Sequence, residues 1–88
     1  MLSVTTTDQF ESDLSRMIRS GSDPELLWAL VDLLVESRTV PEEFRDHELE
    51  GEWAGVRDIH IEADWLLLYR ISKQSLHLVR TGTHNDLF

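Results

Sequence analysis

Length, composition and charge limit what this protein can be. The chain has 88 residues, no cysteine, and 17 acidic against 8 basic residues, for a net charge of −9. We expect one small domain over residues 1–88, and the lack of cysteine excludes disulfide and thiolate chemistry. The longest apolar stretch, Leu26 to Val35, is too short to span a bilayer, and no signal sequence opens the chain. The composition therefore predicts a soluble protein of the reducing cytoplasm.

The first elements are a short strand and a helix. β-branched residues favour a strand at Leu2–Thr6. A helix follows at once, and either Thr6 with Gln9 or Asp8 with Glu11 is expected to form its capping box. Its predicted apolar face consists of Phe10, Leu14, Met17 and Ile18.

A second helix begins shortly after the first one ends. Gly21 is expected to end the first helix in a left-handed conformation. The segment Ser22–Glu25 then combines a capping side chain, an early proline and an acid in the first turn, which are typical of a helix start. Its apolar face is predicted to consist of Leu27, Leu30, Val31 and Leu34, with Trp28 also in the core.

After Pro41 the hydrophobic period changes from helical to alternating. In Val56–Glu62, Ile59 and Ile61 share one face of a strand, and the polar residues share the other. Trp65–Ile71 is apolar on both faces, as in a central strand, and Leu76–Thr81 forms the last strand. The pattern predicts an α+β fold, with two antiparallel helices on an antiparallel meander whose second face is polar and open.

Three histidines and an aspartate are placed where such a sheet can bring them together. His47 precedes the strands, His60 lies on the polar strand face, Asp64 lies at a hairpin turn, and His84 lies in the C-terminal tail. Cleavage of RNA without a metal needs a base for the ribose 2′-OH and an acid for the 5′-oxygen. Histidine suits both steps because its pKa of about 6.5 is near physiological pH. The fourth histidine, His77, is interpreted as an ordinary strand residue.

The segments that carry these residues are similar to those of a known family. DHELEGEW (46–53), VRDIHIEADW (56–65) and RTGTHNDLF (80–88) resemble the YafQ branch of the RelE-type toxins, within the RelE/ParE superfamily. The resemblance implies a RelE-like fold with the order β-α-α-β-β-β. It also implies an endoribonuclease of a type II toxin-antitoxin system, which cuts mRNA in the ribosomal A site and is neutralised by a RelB/DinJ-type antitoxin in a hetero-oligomer.

The resemblance also implies which residues act. The family's functional positions match His47, His60, Asp64, Trp65, His84 and Phe88. His84 is expected to be the general acid, and the general base is either His47 or Asp64. His60 and Asp58 are expected to orient their neighbours or contact the phosphate.

Three further residues are candidates for substrate binding, and no cofactor is expected. Arg80 carries a guanidinium that suits a phosphate, with a surface strand residue as the alternative. Trp65 and Phe88 offer aromatic faces on which a base can stack, and the alternative for Trp65 is a structural residue at the start of a buried strand. The three histidines and the aspartate lack the tight spacing of a metal site, such as two ligands one helical turn apart, so we expect no metal, and a small zinc protein is the weaker alternative.

The acidic charge conflicts with a role in RNA binding. Proteins that bind RNA usually carry a basic surface, because release of counterions from phosphates supplies much of the affinity. Here acids such as Asp8, Glu11 and Asp13 fall in the first helix. They either form a solvated outer face, reflect a salty cytoplasm, or indicate that ribosome binding has been lost. In the last case the chain is a non-catalytic module that keeps only its antitoxin interface.

Overall fold

Two helices pack against one face of a five-stranded sheet, and a short third helix ends the chain. The structure is a computed structural model that describes all 88 residues. In chain order the elements are β1 (Ser3–Thr6), α1 (Asp8–Arg19), α2 (Pro24–Val35), β2 (His47–Glu48), β3 (Arg57–Glu62), β4 (Trp65–Ser72), β5 (Ser75–Gly82) and α3 (His84–Leu87). No helix is both long enough and apolar enough to cross a membrane.

The sheet is mixed, with the strand order β1-β5-β4-β3-β2. The strands β3, β4 and β5 form the predicted antiparallel meander, and β2 extends it antiparallel to β3. The first strand, β1, pairs with β5 in parallel. The predicted α+β class is confirmed. The parallel pair corrects the predicted antiparallel sheet, because the partner of β1 is a strand about 70 residues away in the sequence. The short strand β2 was not predicted, because a two-residue strand has no alternation to detect.

Helix α1 begins and ends through local chemistry. Its N-cap is Thr7, whose side chain accepts a hydrogen bond from the backbone N–H of Phe10, so both predicted capping pairs were wrong. Gly21 follows the helix with a φ of 102°, which confirms the predicted left-handed stop. The predicted apolar face is buried except for Ile18, which is exposed.

Helix α2 follows its sequence signals closely. Asp23 caps it by accepting from the N–H of Glu25, and Pro24 is the first helical residue. All four residues of the predicted apolar face are buried. Trp28 is the exception to the prediction: it is partly exposed and packs edge-on against Phe10, with ring centroids 6.4 Å apart.

The main core lies between the two helices and the sheet. Phe10, Leu27, Ile59, Trp65 and Tyr69 are among its buried residues. The alternation predicted for β3 is confirmed, because Ile59 and Ile61 face the helices.

The opposite face of the sheet carries a smaller apolar cluster beside its polar side chains. Val56, Leu66, Leu68 and Leu87 are buried there together. Leu87 belongs to α3 and Val56 to the loop before β3, so this cluster holds both segments against the sheet. The prediction of an open polar face is therefore only partly right, and the cluster fixes the position of α3 beside the histidines.

Candidate active site

Three histidines form a row on the face of the sheet opposite α1 and α2. The ring centroids of His47 and His60 are 6.1 Å apart, and those of His60 and His84 are 5.7 Å apart. His47 lies on β2, His60 on β3, and His84 is the first residue of α3. Strand pairing and the docking of α3 thus bring together three residues that are far apart in sequence.

At one end of the row, a backbone carbonyl orients His47. Its Nδ1 lies 2.8 Å from the carbonyl oxygen of Arg45, and a carbonyl can only accept a hydrogen bond. Nδ1 therefore carries the proton in the neutral ring, and the lone pair is on Nε2. That Nε2 lies 3.9 Å from Oδ2 of Asp58, which is too far for a hydrogen bond. The His47 ring is half exposed, so its Nε2 is available to a substrate.

The centre of the row contains a buried pair without hydrogen bonds. Oδ1 of Asp58 and Nδ1 of His60 are 3.9 Å apart, and neither atom has a hydrogen-bond partner. Burial raises the pKa of the Asp58 carboxyl, although the nearby histidines oppose this shift. Burial also lowers the pKa of His60, although the nearby Asp58 carboxyl opposes this shift. Burial thus favours the neutral form of both groups. Each has one atom without a hydrogen-bond partner, and a substrate, a proton or an ion can supply that partner.

At the other end, an exposed carboxylate holds His84. Oδ1 of Asp64 accepts from the backbone N–H of His84 at 2.9 Å and from its Nδ1 at 2.6 Å. The backbone hydrogen bond, followed by the side-chain bond, lowers the pKa of Asp64. Asp64 is therefore an ionised group that fixes the His84 ring. The other ring nitrogen of His84, Nε2, is directed away from the hydrogen bond to Asp64. A capping box between Thr83 and Asp86 fixes the start of α3.

The aromatic candidates divide into one buried and one exposed residue. Trp65 is buried in the main core, and its Nε1 donates to Oγ1 of Thr81 at 2.8 Å. The proposed stacking of a base on Trp65 is therefore ruled out by burial, and its role is to hold β4 against β5. Phe88 is 58% exposed and packs edge-on against Trp53, with centroids 6.1 Å apart. The exposure of Phe88 leaves it a candidate for the stacking of a base.

Arg80 is engaged elsewhere. Its Nε and Nη2 each donate to a different oxygen of Asp13 on α1, both at 2.9 Å. Its guanidinium is held in this pair instead of joining the histidine row, so the alternative of a structural strand residue fits better. Asp13 itself is fully buried and was misread as one of the surface acids. The sequence contained a signal, since Asp13 falls on the apolar stripe of α1 between Phe10 and Leu14.

The row also contains a possible metal site. His47, Asp58 and His60 each offer one ligand atom, and these atoms lie within 4.8 Å of one another. Two imidazoles and one carboxylate form a ligand set that suits zinc or copper. Spacing along the chain did not reveal this cluster, because the pairing of His47 with Asp58 across β2 and β3 creates it.

Comparison with known proteins identifies the family. A family model described as a bacterial toxin of type II toxin-antitoxin system, YafQ, matches residues 2–88. The mRNA interferase toxin YafQ of Escherichia coli strain K12 is 37% identical over 81 residues, which are 91% of this chain and 88% of that protein. The chain is also similar to a chain of the E. coli DinJ-YafQ complex (TM-score 0.91, 34% identity, 100% and 99% of the two chains). A copper-bound mutant toxin from Helicobacter pylori gives a TM-score of 0.96 at 31% identity over 100% of both chains. The chain therefore belongs to the YafQ family of type II toxin-antitoxin toxins.

Proposed function

We propose that this chain is a cytoplasmic mRNA interferase, which cleaves mRNA in the ribosomal A site by acid-base chemistry and without a metal. The observation that carries this proposal is the row of His47, His60 and His84, with Asp58 at its centre and Asp64 at the His84 end. The 2′-OH attacks the adjacent phosphorus and the 5′-oxygen leaves as a hydroxyl group, which produces a 2′,3′-cyclic phosphate. Addition of water to the cyclic phosphate then gives a 3′-phosphate. The relative from E. coli, named as an mRNA interferase toxin, supports the same activity.

The geometry favours His47 over Asp64 as the general base. Nε2 of His47 carries the free lone pair, because Nδ1 donates to the Arg45 carbonyl. Asp64 is already committed to two hydrogen bonds from His84, and its lowered pKa makes it a poor proton acceptor.

His84 takes the role of general acid, at the opposite end of the row from the base. The attacking and leaving oxygens lie roughly in line on opposite sides of the phosphorus. A base and an acid on either side of His60 match that requirement. Asp64 holds the His84 ring in position, and His60 is placed to contact a phosphate oxygen between the base and the acid. Phe88, at the end of α3, is placed to stack a neighbouring base.

The proposed function includes an antitoxin partner and a hetero-oligomeric inhibited state. The DinJ-YafQ complex of E. coli supports this pairing for the family. The alternative, a non-catalytic module that binds only an antitoxin, rests on the net charge of −9. Against it stands the intact orientation of both His47 and His84 by hydrogen bonds, which a protein without catalysis does not need.

Mapping of mRNA ends after induced expression tests the proposal directly. We expect new 5′ ends within translated codons for the unmodified chain, and none when the antitoxin is co-expressed. Purified ribosomes with a defined message should reproduce the cuts, and the message alone should not. Growth inhibition without new mRNA ends, or ribosome-bound protein without cleavage, favours the non-catalytic alternative.

The first prediction concerns metals. Every proton transfer is assigned to a side chain, so cleavage should persist in excess chelator. Added Zn²⁺ or Cu²⁺ should inhibit, because it competes for Nε2 of His47. Calorimetric titration with Zn²⁺ should show binding that Asp58→Asn weakens by about tenfold or more. Loss of cleavage on chelation that zinc restores would replace the acid-base mechanism with a metal mechanism.

The second prediction concerns charge. Asp8 and Glu11 are exposed on α1, whereas Asp13 is buried and unsuitable for substitution by lysine. If α1 faces ribosomal RNA, the double variant Asp8→Lys, Glu11→Lys should bind ribosomes more tightly. The plot of the logarithm of the binding constant against the logarithm of the salt concentration should then be steeper by about one to two. Asp32→Lys, Glu36→Lys makes the same change in net charge at the C-terminal end of α2 and is the matched control. Equal behaviour of the two double variants would show that α1 faces solvent in the complex.

A further inference from the structure

The residue with the role of general acid lies on a helix that cannot hold itself in place. Helix α3 spans only His84–Leu87, near the end of the chain. A helix of one turn does not form by itself in water, and chain ends fray unless they are tied down. Leu87 anchors the far end of α3 in the smaller apolar cluster. The start of the helix, where His84 lies, is held mainly by polar contacts.

These polar contacts at the start of α3 are open to water. Asp64, which accepts from the backbone N–H and the Nδ1 of His84, has an exposed side chain, and so does Asp86 of the capping box. Exposed polar pairs contribute little by themselves, because water competes for the same groups. A link from one of these groups to the interior therefore restricts the start of α3 more than the exposed pairs do.

Arg16 of α1 provides such a link. Its Nη2 donates to Oδ2 of Asp86 at 3.3 Å, and its Nη1 donates to Oδ1 of Asp13 at 3.1 Å. Nη2 also lies 3.5 Å from the carbonyl oxygen of Thr81. The same Oδ2 of Asp86 accepts from the backbone N–H of Thr83 at 2.9 Å. One guanidinium thus joins a fully buried carboxylate to the cap of α3.

The close approach of Arg16 and Asp86 depends on a glycine between them. A Cβ atom at Gly82 would lie 3.0 Å from Nη2 of Arg16 and 3.0 Å from both Cβ and Oδ2 of Asp86. Any side chain at this position would press on both partners, and one of them would have to move. The backbone that leads into α3 therefore runs in contact with the ion pair. The backbone hydrogen bond from Thr83, with a smaller contribution from Arg16, lowers the pKa of Asp86 and keeps it ionised.

We propose that Arg16 is a positioning residue for the general acid, and that it acts by holding the cap of α3 to the buried Asp13. The proposal rests on the proposed function, in which His84 protonates the 5′-oxygen. Arg16 forms no hydrogen bond or ion pair with the three histidines, so it acts through the cap. Proton transfer needs donor and acceptor within hydrogen-bond reach, and a displacement of about 1 Å can cost about 100-fold in rate.

Arg16→Met tests this role, because methionine keeps an unbranched apolar chain and removes the guanidinium. Asp13 retains its two hydrogen bonds from Arg80, so the variant should fold. We expect the single-turnover rate on a ribosome-bound message to fall by about tenfold. The ribosome concentration that gives half of the maximal rate should stay within about twofold, since no substrate contact is lost.

Arg19→Met is the matched control. Arg19 is exposed on the same helix and takes part in no ion pair, and its replacement makes the same change in net charge. Both the rate and the half-maximal ribosome concentration should be unchanged in this variant. Thermal unfolding establishes that each variant is folded. If Arg16→Met instead weakens ribosome binding at an unchanged maximal rate, Arg16 is an RNA contact and the proposal is wrong.

Asp86→Asn tests whether the effect of Arg16 passes through α3. The asparagine oxygen can still accept from the N–H of Thr83, but the ion pair with Arg16 is lost. This variant should also be slow. The double variant Arg16→Met, Asp86→Asn should react within about twofold of Arg16→Met alone, because both changes break the same link. Losses that multiply in the double variant would show that the two residues act independently, against the proposal.

The proton–nitrogen correlation spectrum of the His84 ring reports its position without ribosomes. In the unmodified chain and in Arg19→Met, it should show a ring protonated on Nδ1, as the 2.6 Å hydrogen bond to Asp64 requires. In Arg16→Met it should move toward a mixture of the two tautomers. An unchanged spectrum in Arg16→Met, or an unchanged rate, would overturn the proposal. Absence of cleavage by the unmodified chain would overturn the proposed function instead, and the spectrum of Arg16→Met distinguishes the two failures.

Discussion

Replacement of His84 by alanine should slow mRNA cleavage by about 10²- to 10⁴-fold, the usual cost of losing a positioned general acid. The expected loss follows from geometry: the ring is held by Asp64 through a 2.6 Å hydrogen bond, at the opposite end of the row from His47. Because the ring is half exposed and outside both apolar clusters, the substitution should leave folding and antitoxin affinity nearly unchanged. Single-turnover cleavage of a ribosome-bound message measures the rate.

His77→Ala is the matched control for this variant. His77 lies on β5 and its Nδ1 lies 2.6 Å from Oγ1 of Thr5, away from the row. Its loss should leave the cleavage rate within about twofold of the unmodified protein, since it takes part in no proton transfer. Equal rates for His84→Ala and His77→Ala would remove His84 from the mechanism. A large loss in both would indicate that the sheet, not the proton donor, had been disturbed.

The parts of the fold that could be predicted are those determined by short-range chemistry. The start of α2 was predicted because Asp23, Pro24 and Glu25 act within one turn of the helix. Its buried face was predicted because the helical period alone selects it. The strand β3 was predicted for the same reason, since alternation places Ile59 and Ile61 on one side.

The parts that could not be predicted depend on partners distant in sequence. Trp65 was a candidate for base stacking as well as for the core. Its Nε1 donates to Thr81, which lies 16 residues later, and no residue close to Trp65 in the sequence indicates that partner. The approach of His47 to Asp58 depends on a two-residue strand and on the left-handed backbone of Arg45. The residues that the structure brings together were recognisable from the sequence motifs, whereas the hydrogen bonds that distinguish Asp64 from His47 were not.

Asp13 shows how a buried charge supports the site from a distance. Its carboxylate accepts from Arg80 through two bonds, from Arg16 at 3.1 Å and from the backbone N–H of Thr81 at 3.3 Å. Arg16 in turn contacts Asp86 at 3.3 Å, and Asp86 accepts from the backbone N–H of Thr83, the residue before His84. The ion pair thus connects α1 to β5 and, through Arg16, to the start of α3.

Replacement of Asp13 by asparagine should lower the free energy of unfolding by about 3 kcal/mol at neutral pH, because it leaves two arginines without their shared carboxylate. In a protein of this size, that corresponds to a fall in Tm of roughly 15 °C. Thermal and urea unfolding measure the change. Asp8→Asn, an exposed acid on the same helix, is the control and should change stability by no more than about 0.5 kcal/mol.

The same variant should remove part of the pH dependence of stability. Burial alone would raise the pKa of Asp13, but hydrogen bonds from Arg80, Gln9, Arg16 and Thr81 outweigh it and lower the pKa from 3.8 to about 2. A carboxyl whose pKa is lower in the folded state stabilises the fold above its unfolded pKa. That contribution, about 2 kcal/mol, disappears as the pH falls from about 4 through about 2. The stability difference between the unmodified chain and Asp13→Asn should therefore narrow over that interval. A difference that stays constant down to pH 2 would show that packing, not the charge of Asp13, holds α1 to the strand that leads into His84.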